Sequence, residues 1–290
     1  MNAIRATWDF MRDLVTSFNA DRVPFLAASI SYFAFFSLFP LVLGLIAIAG
    51  YLLAPEEATQ RVLDLVVRGF PAQEAFVRST LEAVVEARGG VGLFALLTLL
   101  WAGKNIFSTL ALAIDIIWDA KPQGGFVFVI QRNLVALGFA VAIGGAMLAV
   151  AALYWVMLAA LTFEIPLLGL QPKDIPGIVP VLMNLLPVGL VTLSLIAMYR
   201  FLPAQRVSFK HIAVGAIAAA FIWELLRRLF GWYLSTFGRF NEVYGPATSV
   251  IVFLFWLYLS AVIFLLGAEV TYVLHERASR EREPVSDPAP

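Results

Sequence analysis

A lysine and an asparagine, Lys104 and Asn105, lie near the centre of an apolar stretch that runs from Val91 to Trp118. About 20 apolar residues, each rising 1.5 Å along a helix, cross a hydrocarbon layer of roughly 30 Å. Lys104 is therefore expected near the middle of a bilayer, where an ammonium group costs on the order of 3 kcal/mol on insertion scales. A charge at that depth indicates a partner or a function inside the membrane.

A second apolar stretch carries an acidic residue and two arginines, Glu224, Arg227 and Arg228. Counting 1.5 Å per residue from His211 places Glu224 about 20 Å into the membrane. Lys104 reaches a comparable depth from the opposite face, so we predict a Lys104–Glu224 ion pair between two spans. Because Arg227 and Arg228 follow Glu224 by one helical turn, they compete for it, and we expect one of them to stay free. The alternatives are a salt-bridge network that fixes helix register and a site for an anionic head group or carboxylate.

Further polar and aromatic residues complete the candidate site. Glu269 and Asp115 fall near the ends of their stretches, where an interfacial carboxylate beside a basic residue is the simpler interpretation. Aromatic rings near the charges could face a quaternary ammonium group, although most rings of such a chain face lipid or fill the core. The predicted substrate-binding or transport residues are Lys104, Asn105, Trp223, Glu224, Arg227, Arg228, Tyr244, Trp256 and Glu269.

The elements that position these residues are predicted to be membrane-spanning helices. Hydrophobic residues make up 61% of the chain and charged residues 14%, with a mean hydropathy of +0.87. Soluble domains carry about 25% charged residues, so the composition indicates an integral membrane protein. We predict an all-α, polytopic fold with spans at 25–53, 91–118, 133–161, 178–199, 212–237 and 247–274.

The segments outside the spans have distinct predicted structures. Apolar and charged residues alternate between Ala3 and Phe18 in a pattern typical of an amphipathic helix that lies on the membrane surface. Residues 55–90 are predicted to form a helical hairpin outside the membrane, either a spacer or a lid over a solute path. Residues 1–277 are treated as one membrane domain, and the charged, proline-containing stretch 278–290 is predicted to be a disordered tail.

Basic residues predict the orientation of the chain in the membrane. Lys and Arg concentrate on the side that holds both termini and the loops after the second and fourth spans, so both termini are predicted to be cytoplasmic. These residues are Arg5, Arg12, Arg22, Lys121, Arg132, Arg200, Arg206, Lys210, Arg277, Arg280 and Arg282.

Several kinds of site are not predicted. The chain has no cysteine, which excludes disulfides, thiolate metal sites and a cysteine nucleophile. It contains His211 and His275, far apart in sequence and each expected to be alone at a membrane boundary, which does not suit a zinc site. A formal net charge of zero argues against a nucleic-acid partner. We expect no metal, no cofactor, no nucleotide-binding loop and no enzymatic activity.

Several motifs, taken in order, resemble the YihY/BrkB family of bacterial inner-membrane proteins over nearly the whole chain. The motifs are Ala27 to Gly44 (AASISYFAFFSLFPLVLG), Trp101 to Trp118 (WAGKNIFSTLALAIDIIW), Tyr199-Arg200-Phe201-Leu202-Pro203, Trp223-Glu224-Leu225, Val243-Tyr244-Gly245, Trp256 to Ser260, and Gly267-Ala268-Glu269. The resemblance implies six membrane helices in a bacterial inner membrane. Members have carried a ribonuclease BN label, and others are associated with serum resistance, envelope lipids or compatible solutes.

These observations lead to one predicted function and two alternatives. We predict a transporter or efflux facilitator for small polar, zwitterionic solutes, with a cavity between the second, fifth and sixth spans around Lys104, Glu224, Arg227 and Glu269. The first alternative is a flippase or scaffold for anionic lipid, in which Arg227 and Arg228 bind phosphate groups. The second is a non-transporting envelope protein whose outer hairpin recruits partners. Membrane lipids are partners in each case.

Overall fold

The structure is a computed structural model that describes residues 2–49, 60, 92–120, 130–131, 133–139, 141–142, 145, 178–237 and 247–280. Within these ranges the chain forms helices joined by short turns, and no strand. The helices are α1 (Asn2–Ala20), α2 (Val23–Ala49), α3 (Gly92–Ile117), α4 (Ile178–Phe201), α5 (Phe209–Phe237) and α6 (Ala247–Arg280). The described residues between 130 and 145 are also helical. The all-α prediction is therefore confirmed for the described part of the chain.

The last helix, α6, lies at the centre of the bundle. It packs against α5, α2, α1 and α3, while α4 packs against α5 and α3 packs mainly against α2. Two buried aromatic side chains attach their helices to the backbone of α6. Trp118 Nε1 donates to the carbonyl oxygen of Ala268 at 3.1 Å, and Tyr199 Oη donates to that of Phe264 at 2.5 Å. The ends of α3 and α4 are thus held against the middle third of α6.

Helices α5 and α6 cross at two glycines, Gly215 and Gly267. A methyl group at Gly215 would overlap the Thr271 hydroxyl and the Gly267 carbonyl oxygen, and one at Gly267 would lie 2.5 Å from the Tyr199 hydroxyl. Only a hydrogen atom fits at either position. Small residues let helix backbones approach closely in a membrane, where no hydrophobic effect drives helices together.

The predicted amphipathic helix at the N-terminus forms and extends to Ala20 as α1. Leu14 is buried against the bundle, while Trp8, Met11 and Val15 form an exposed apolar stripe. Arg277 on α6 donates two hydrogen bonds to Asp13 Oδ2, at 2.6 and 3.0 Å. One face of α1 therefore binds the bundle, and a second apolar face is left exposed.

Two of the described helices are long and apolar enough to span a membrane, within Phe209–Tyr233 and Val250–Arg280, and shorter apolar segments lie at Val23–Leu38 and Val188–Phe201. The six-span topology remains a prediction. Most of the third predicted span, 133–161, lies outside the described residues, as does the predicted hairpin at 55–90 apart from Gln60. Helix α6 continues to Arg280, past residue 278, where the predicted tail begins.

Candidate functional site

One end of the bundle gathers several titratable side chains. We call it the α1 end, because the turn after α1 lies there beside Asp119, which follows α3, and Glu269 of α6. Glu269 on α6 is 0% exposed, and neither of its carboxyl oxygens accepts a hydrogen bond from an N–H or hydroxyl donor in the described chain. Its carboxyl group instead interacts with that of Asp21 in the turn, and Asp21 also faces Asp119 at the end of α3.

The Asp21–Glu269 pair needs a proton to form a hydrogen bond. Two ionised carboxylates are both acceptors, whereas a protonated carboxyl group is a donor, so one shared proton satisfies both groups. Burial raises the pKa of Asp21, and the negative charge of Asp119 raises that pKa further, while the interaction with Glu269 opposes the shift. This end of the bundle is therefore suited to bind and release a proton.

The backbone holds this pair in an uncommon local geometry. Arg22, the residue after Asp21, has φ of 53°, and Asp119 has φ of 47°, so both occupy the left-handed region. Ser17 and Asn19 at the end of α1 accept hydrogen bonds from the amides of Asp21 and Arg22, at 2.9 and 3.2 Å. Left-handed non-glycine residues occur most often at turns and functional sites. Here one of them directly follows Asp21, and the other is Asp119, whose charge acts on Asp21.

The prediction that His211 and His275 are isolated from each other was wrong. Their ring centroids lie 5.7 Å apart, because the start of α5 packs beside the end of α6 in an antiparallel arrangement. Sequence separation gave no sign of this contact. Within the described residues, no group of three or more His, Asp or Glu side chains is arranged to hold a metal ion.

The predicted Lys104–Glu224 ion pair is absent from the structure, and the expectation of one free arginine was wrong too. Arg227 donates to both oxygens of Glu224 at 2.8 and 2.7 Å, and Arg228 donates to Oε1 at 2.8 Å. Both arginines therefore bind the glutamate, one turn away on the same helix. Lys104 and Asn105 lie half-buried on α3, which packs mainly against α2 and not against α5.

The tryptophans of the candidate site do meet. Trp223 and Trp256 have ring centroids 6.1 Å apart, and Trp223 Nε1 donates to the Ser260 hydroxyl at 3.4 Å. Phe230 stacks against Trp256 at 4.9 Å between centroids. Tyr244 lies outside the described residues. The predicted site thus divides into three places: Lys104 and Asn105 on α3, the Glu224 and tryptophan cluster between α5 and α6, and Glu269 at the α1 end.

Asp21 and Asp119 were missed as site residues by sequence reasoning. Asp119 directly follows the predicted span 91–118, and Asp21 lies four residues before the span that begins at residue 25. Both therefore look like ordinary interfacial carboxylates. The available signal was topological, since the predicted six-span arrangement puts the turn after α1 and the ends of spans two and six on the same side of the membrane. That signal predicts that Asp21, Asp119 and Glu269 lie on the same side of the membrane, but it does not predict that their carboxyl groups interact.

A comparison with protein families gives a match to the family described as Virulence factor BrkB over residues 14–290. This chain belongs to the BrkB family. Among curated proteins, a UPF0761 membrane protein of Vibrio vulnificus strain YJ016 is 26% identical over 269 residues, covering 92% of this chain and 83% of the relative. The ribonuclease-like protein YfkH of Bacillus subtilis strain 168 is 24% identical, covering 92% of this chain and 96% of its own length.

A further UPF0761 membrane protein, from Pseudoalteromonas translucida strain TAC 125, is 31% identical over 184 residues, which is 63% of this chain and 56% of the relative. No solved structure matches the chain significantly. The family resemblance of the motifs is confirmed, and the chain is a membrane protein of the BrkB and UPF0761 group.

Proposed function

We propose that this BrkB-family protein transports small polar solutes, zwitterionic ones above all, and couples their movement to a proton. The observation that carries the proposal is Glu269, a fully buried carboxyl group that interacts with the carboxyl group of Asp21 and accepts no hydrogen bond from an N–H or hydroxyl donor among the described residues. Buried carboxyl groups within membrane helices are costly and commonly serve as proton relays in pumps and transporters. A pair formed by a buried carboxyl group inside α6 and one in the turn after α1 suits that role.

Proton binding also provides a structural change. With one proton, the pair is joined by an O–H···O hydrogen bond that holds the α1–α2 turn against α6. Without it, two adjacent negative charges repel one another, and Asp119 adds to the repulsion. The turn and α6 would then separate, which opens the α1 end.

The groups for the solute would come from the cluster between α5 and α6. Arg227 and Arg228 are 50% and 68% exposed and could exchange Glu224 for the carboxylate of a zwitterion. The Trp223 and Trp256 rings lie on the same pair of helices and could face the cationic end. Lys104 and Asn105 remain proposed contacts on the side of α3.

A second candidate function, the handling of anionic lipid, is favoured by the position of Arg228. It lies in an exposed apolar stripe of α5 that includes Phe221, Leu225 and Trp232. Its guanidinium group therefore faces the lipid side of the helix, about 29 Å along the helix from Phe209, near the second membrane boundary. An arginine there can reach lipid phosphate groups.

Proteoliposomes with an internal pH-sensitive dye would test the main proposal. Addition of labelled glycine betaine, a zwitterion, should move protons together with the label, and Glu269→Gln should lose the proton movement. Glu276→Gln is the matched control, since Glu276 is an exposed carboxylate on the same helix and binds Arg280. Movement of fluorescent anionic phospholipid without betaine would favour the lipid function. If neither moves in wild type, the protein is a non-transporting one.

The placement of the chain follows the same proposal. We place it in the bacterial inner membrane with both termini in the cytoplasm, so that the α1 end faces the cytoplasm. No nucleic acid and no cofactor enter the proposed cycle.

A further inference from the structure

A second polar region at the α1 end is a cleft beside the corner between α4 and α5. Its volume is about 400 Å³, within the range of roughly 300–1,000 Å³ typical of small-molecule sites. Arg200 and Arg206 line it from the two sides of the corner, and Gln131 and Val135 line it from the helical segment near residue 133. The carboxyl pair does not line this cleft.

The two arginines are held in place by buried neighbours. Arg200 follows Tyr199, which is buried and donates to the Phe264 carbonyl oxygen, and Arg206 precedes the buried Val207. Between them, the amide of Ala204 donates to Asp115 Oδ1 at 2.8 Å, so a buried carboxylate on α3 fixes the corner. The backbone that carries both guanidinium groups is therefore fixed before any ligand binds, which lowers the entropic cost of binding.

Neither guanidinium group forms an ion pair with a residue that the structure describes. Every ion pair between described residues involves other basic side chains, and Arg200 and Arg206 form no hydrogen bond through their side chains in the described part of the chain. Two positive charges at one cleft repel one another unless an anion lies between them. Guanidinium groups match the geometry of a phosphate group, to which each can donate two parallel hydrogen bonds.

The rim of the cleft indicates which phosphate compound fits. Phe201 is 63% exposed and Val135 42% exposed, and both line the cleft beside the arginines. The corner joins two apolar helices, Val188–Phe201 and Phe209–Tyr233, so it lies at a membrane boundary. A ligand here meets cations at the corner and apolar side chains towards the membrane. That combination matches an amphiphile with an anionic phosphate group.

We propose that the Arg200–Arg206 cleft binds the phosphate group of an anionic lipid. The site is separate from the proposed transport mechanism, because no residue of the Asp21–Glu269 pair or of the Glu224 cluster lines it. It would hold one lipid at the corner where α4 ends and α5 begins. The bound lipid would neutralise both arginines and cover Phe201 and Val135.

Binding to purified protein in a neutral detergent tests the site. Short-chain phosphatidylglycerol is titrated against wild type and against Arg200→Gln/Arg206→Gln, with short-chain phosphatidylcholine as the neutral lipid. We expect the double variant to bind phosphatidylglycerol on the order of tenfold more weakly, and wild type to prefer it to phosphatidylcholine. The matched control is Arg12→Gln/Lys210→Gln, which removes two exposed charges outside the cleft.

Three results would overturn the proposal. The first is an equal loss of affinity in both double variants, and the second is equal affinity of wild type for the two lipids. The third is displacement of the lipid by glycerol phosphate at the same concentration, which would show that the cleft binds a soluble phosphate compound. Thermal unfolding of each variant checks that it folds. If the glutamine variant does not, Arg200→Lys/Arg206→Lys keeps the charge and loses the paired donors, so its affinity for phosphatidylglycerol should still fall.

Discussion

Gly215 on α5 and Gly267 on α6 face each other so closely that a methyl group on Gly267 would lie 3.0 Å from the Gly215 carbonyl oxygen. A methyl group on Gly215 would overlap the Gly267 carbonyl oxygen and the Thr271 hydroxyl. Backbone atoms cannot move aside as a flexible side chain can. We predict that Gly215→Ala separates the two helices and lowers the free energy of unfolding by about 3 kcal/mol, which thermal unfolding in detergent would detect.

The matched control for this variant lies on the same helix. Nothing approaches within 4 Å of a methyl group built on Gly231, so Gly231→Ala should stabilise α5 by up to about 1 kcal/mol. Equal melting temperatures for Gly215→Ala and wild type would show that the close crossing is not present in solution.

A second prediction concerns the charges in the membrane helices. Because Glu224 binds Arg227 and Arg228 on its own helix, Lys104 and Glu224 should contribute to stability independently. The effects of Lys104→Ala and Glu224→Ala should therefore add to within about 0.5 kcal/mol.

The corresponding cycle between Glu224→Ala and Arg227→Ala supplies the comparison. Here the effects should not add, since each single variant already breaks the paired hydrogen bonds at 2.7 and 2.8 Å. If the coupling energy between Lys104 and Glu224 were as large as that between Glu224 and Arg227, the prediction would be wrong, and Lys104 and Glu224 would form an ion pair between α3 and α5.

A third prediction follows from the raised pKa of Asp21. A carboxyl group with a pKa raised by folding binds its proton more tightly in the folded state. Its stabilising effect is complete below the pKa of the unfolded chain, about 3.9, and is lost as pH rises through the folded pKa. The free energy of unfolding should therefore fall as pH increases above about 4, and Asp21→Asn should reduce this slope in thermal unfolding measured across that range.

Asp9→Asn is the control for the pH series, because Asp9 is an exposed carboxylate on α1 outside the carboxyl cluster. It should keep the slope of wild type. An unchanged slope in Asp21→Asn would mean that the Asp21–Glu269 pair does not hold a proton as proposed.

A fourth prediction concerns the attachment of α1 to the bundle. The chain has no cysteine, so Thr16→Cys and Ser279→Cys provide two unique sites for spin labels, on α1 and near the end of α6. Breaking the Asp13–Arg277 ion pair with Arg277→Gln should broaden the distance distribution between the labels.

The pair is partly exposed, so its contribution is about 1 kcal/mol or less and should weaken in high salt. Arg280→Gln serves as the control, because Arg280 forms its ion pair with Glu276 on its own helix and interacts with Asp13 only through the weaker charge attraction at longer range. The same broadening in both variants would show that the ion pair does not hold α1 in place.

Local features of the fold were predictable from the sequence, and the helix contacts were not. The alternating pattern at the N-terminus predicted α1, and apolar length predicted the helices that became α2, α3, α4, α5 and α6. Local spacing also brought Arg227 and Arg228 within reach of Glu224, although we expected only one of them to bind. The similar membrane depth of Lys104 and Glu224 stays a prediction, and the ion pair inferred from it does not form.

Depth alone does not state which helices are neighbours. The order of helices around a bundle is determined by packing at positions such as Gly215 and Gly267, and a single sequence does not show which helix a glycine faces. For the same reason His211 and His275 came together unexpectedly, and Asp21 was not recognised as the partner of Glu269.

Helix α1 has a mechanical consequence for the carboxyl pair. Its exposed stripe of Trp8, Met11 and Val15 is suited to the lipid interface, and its last residue is directly followed by Asp21. If that stripe lies in the lipid interface, α1 would act as a lever, and a tilt of α1 would move the turn that carries Asp21 relative to Glu269.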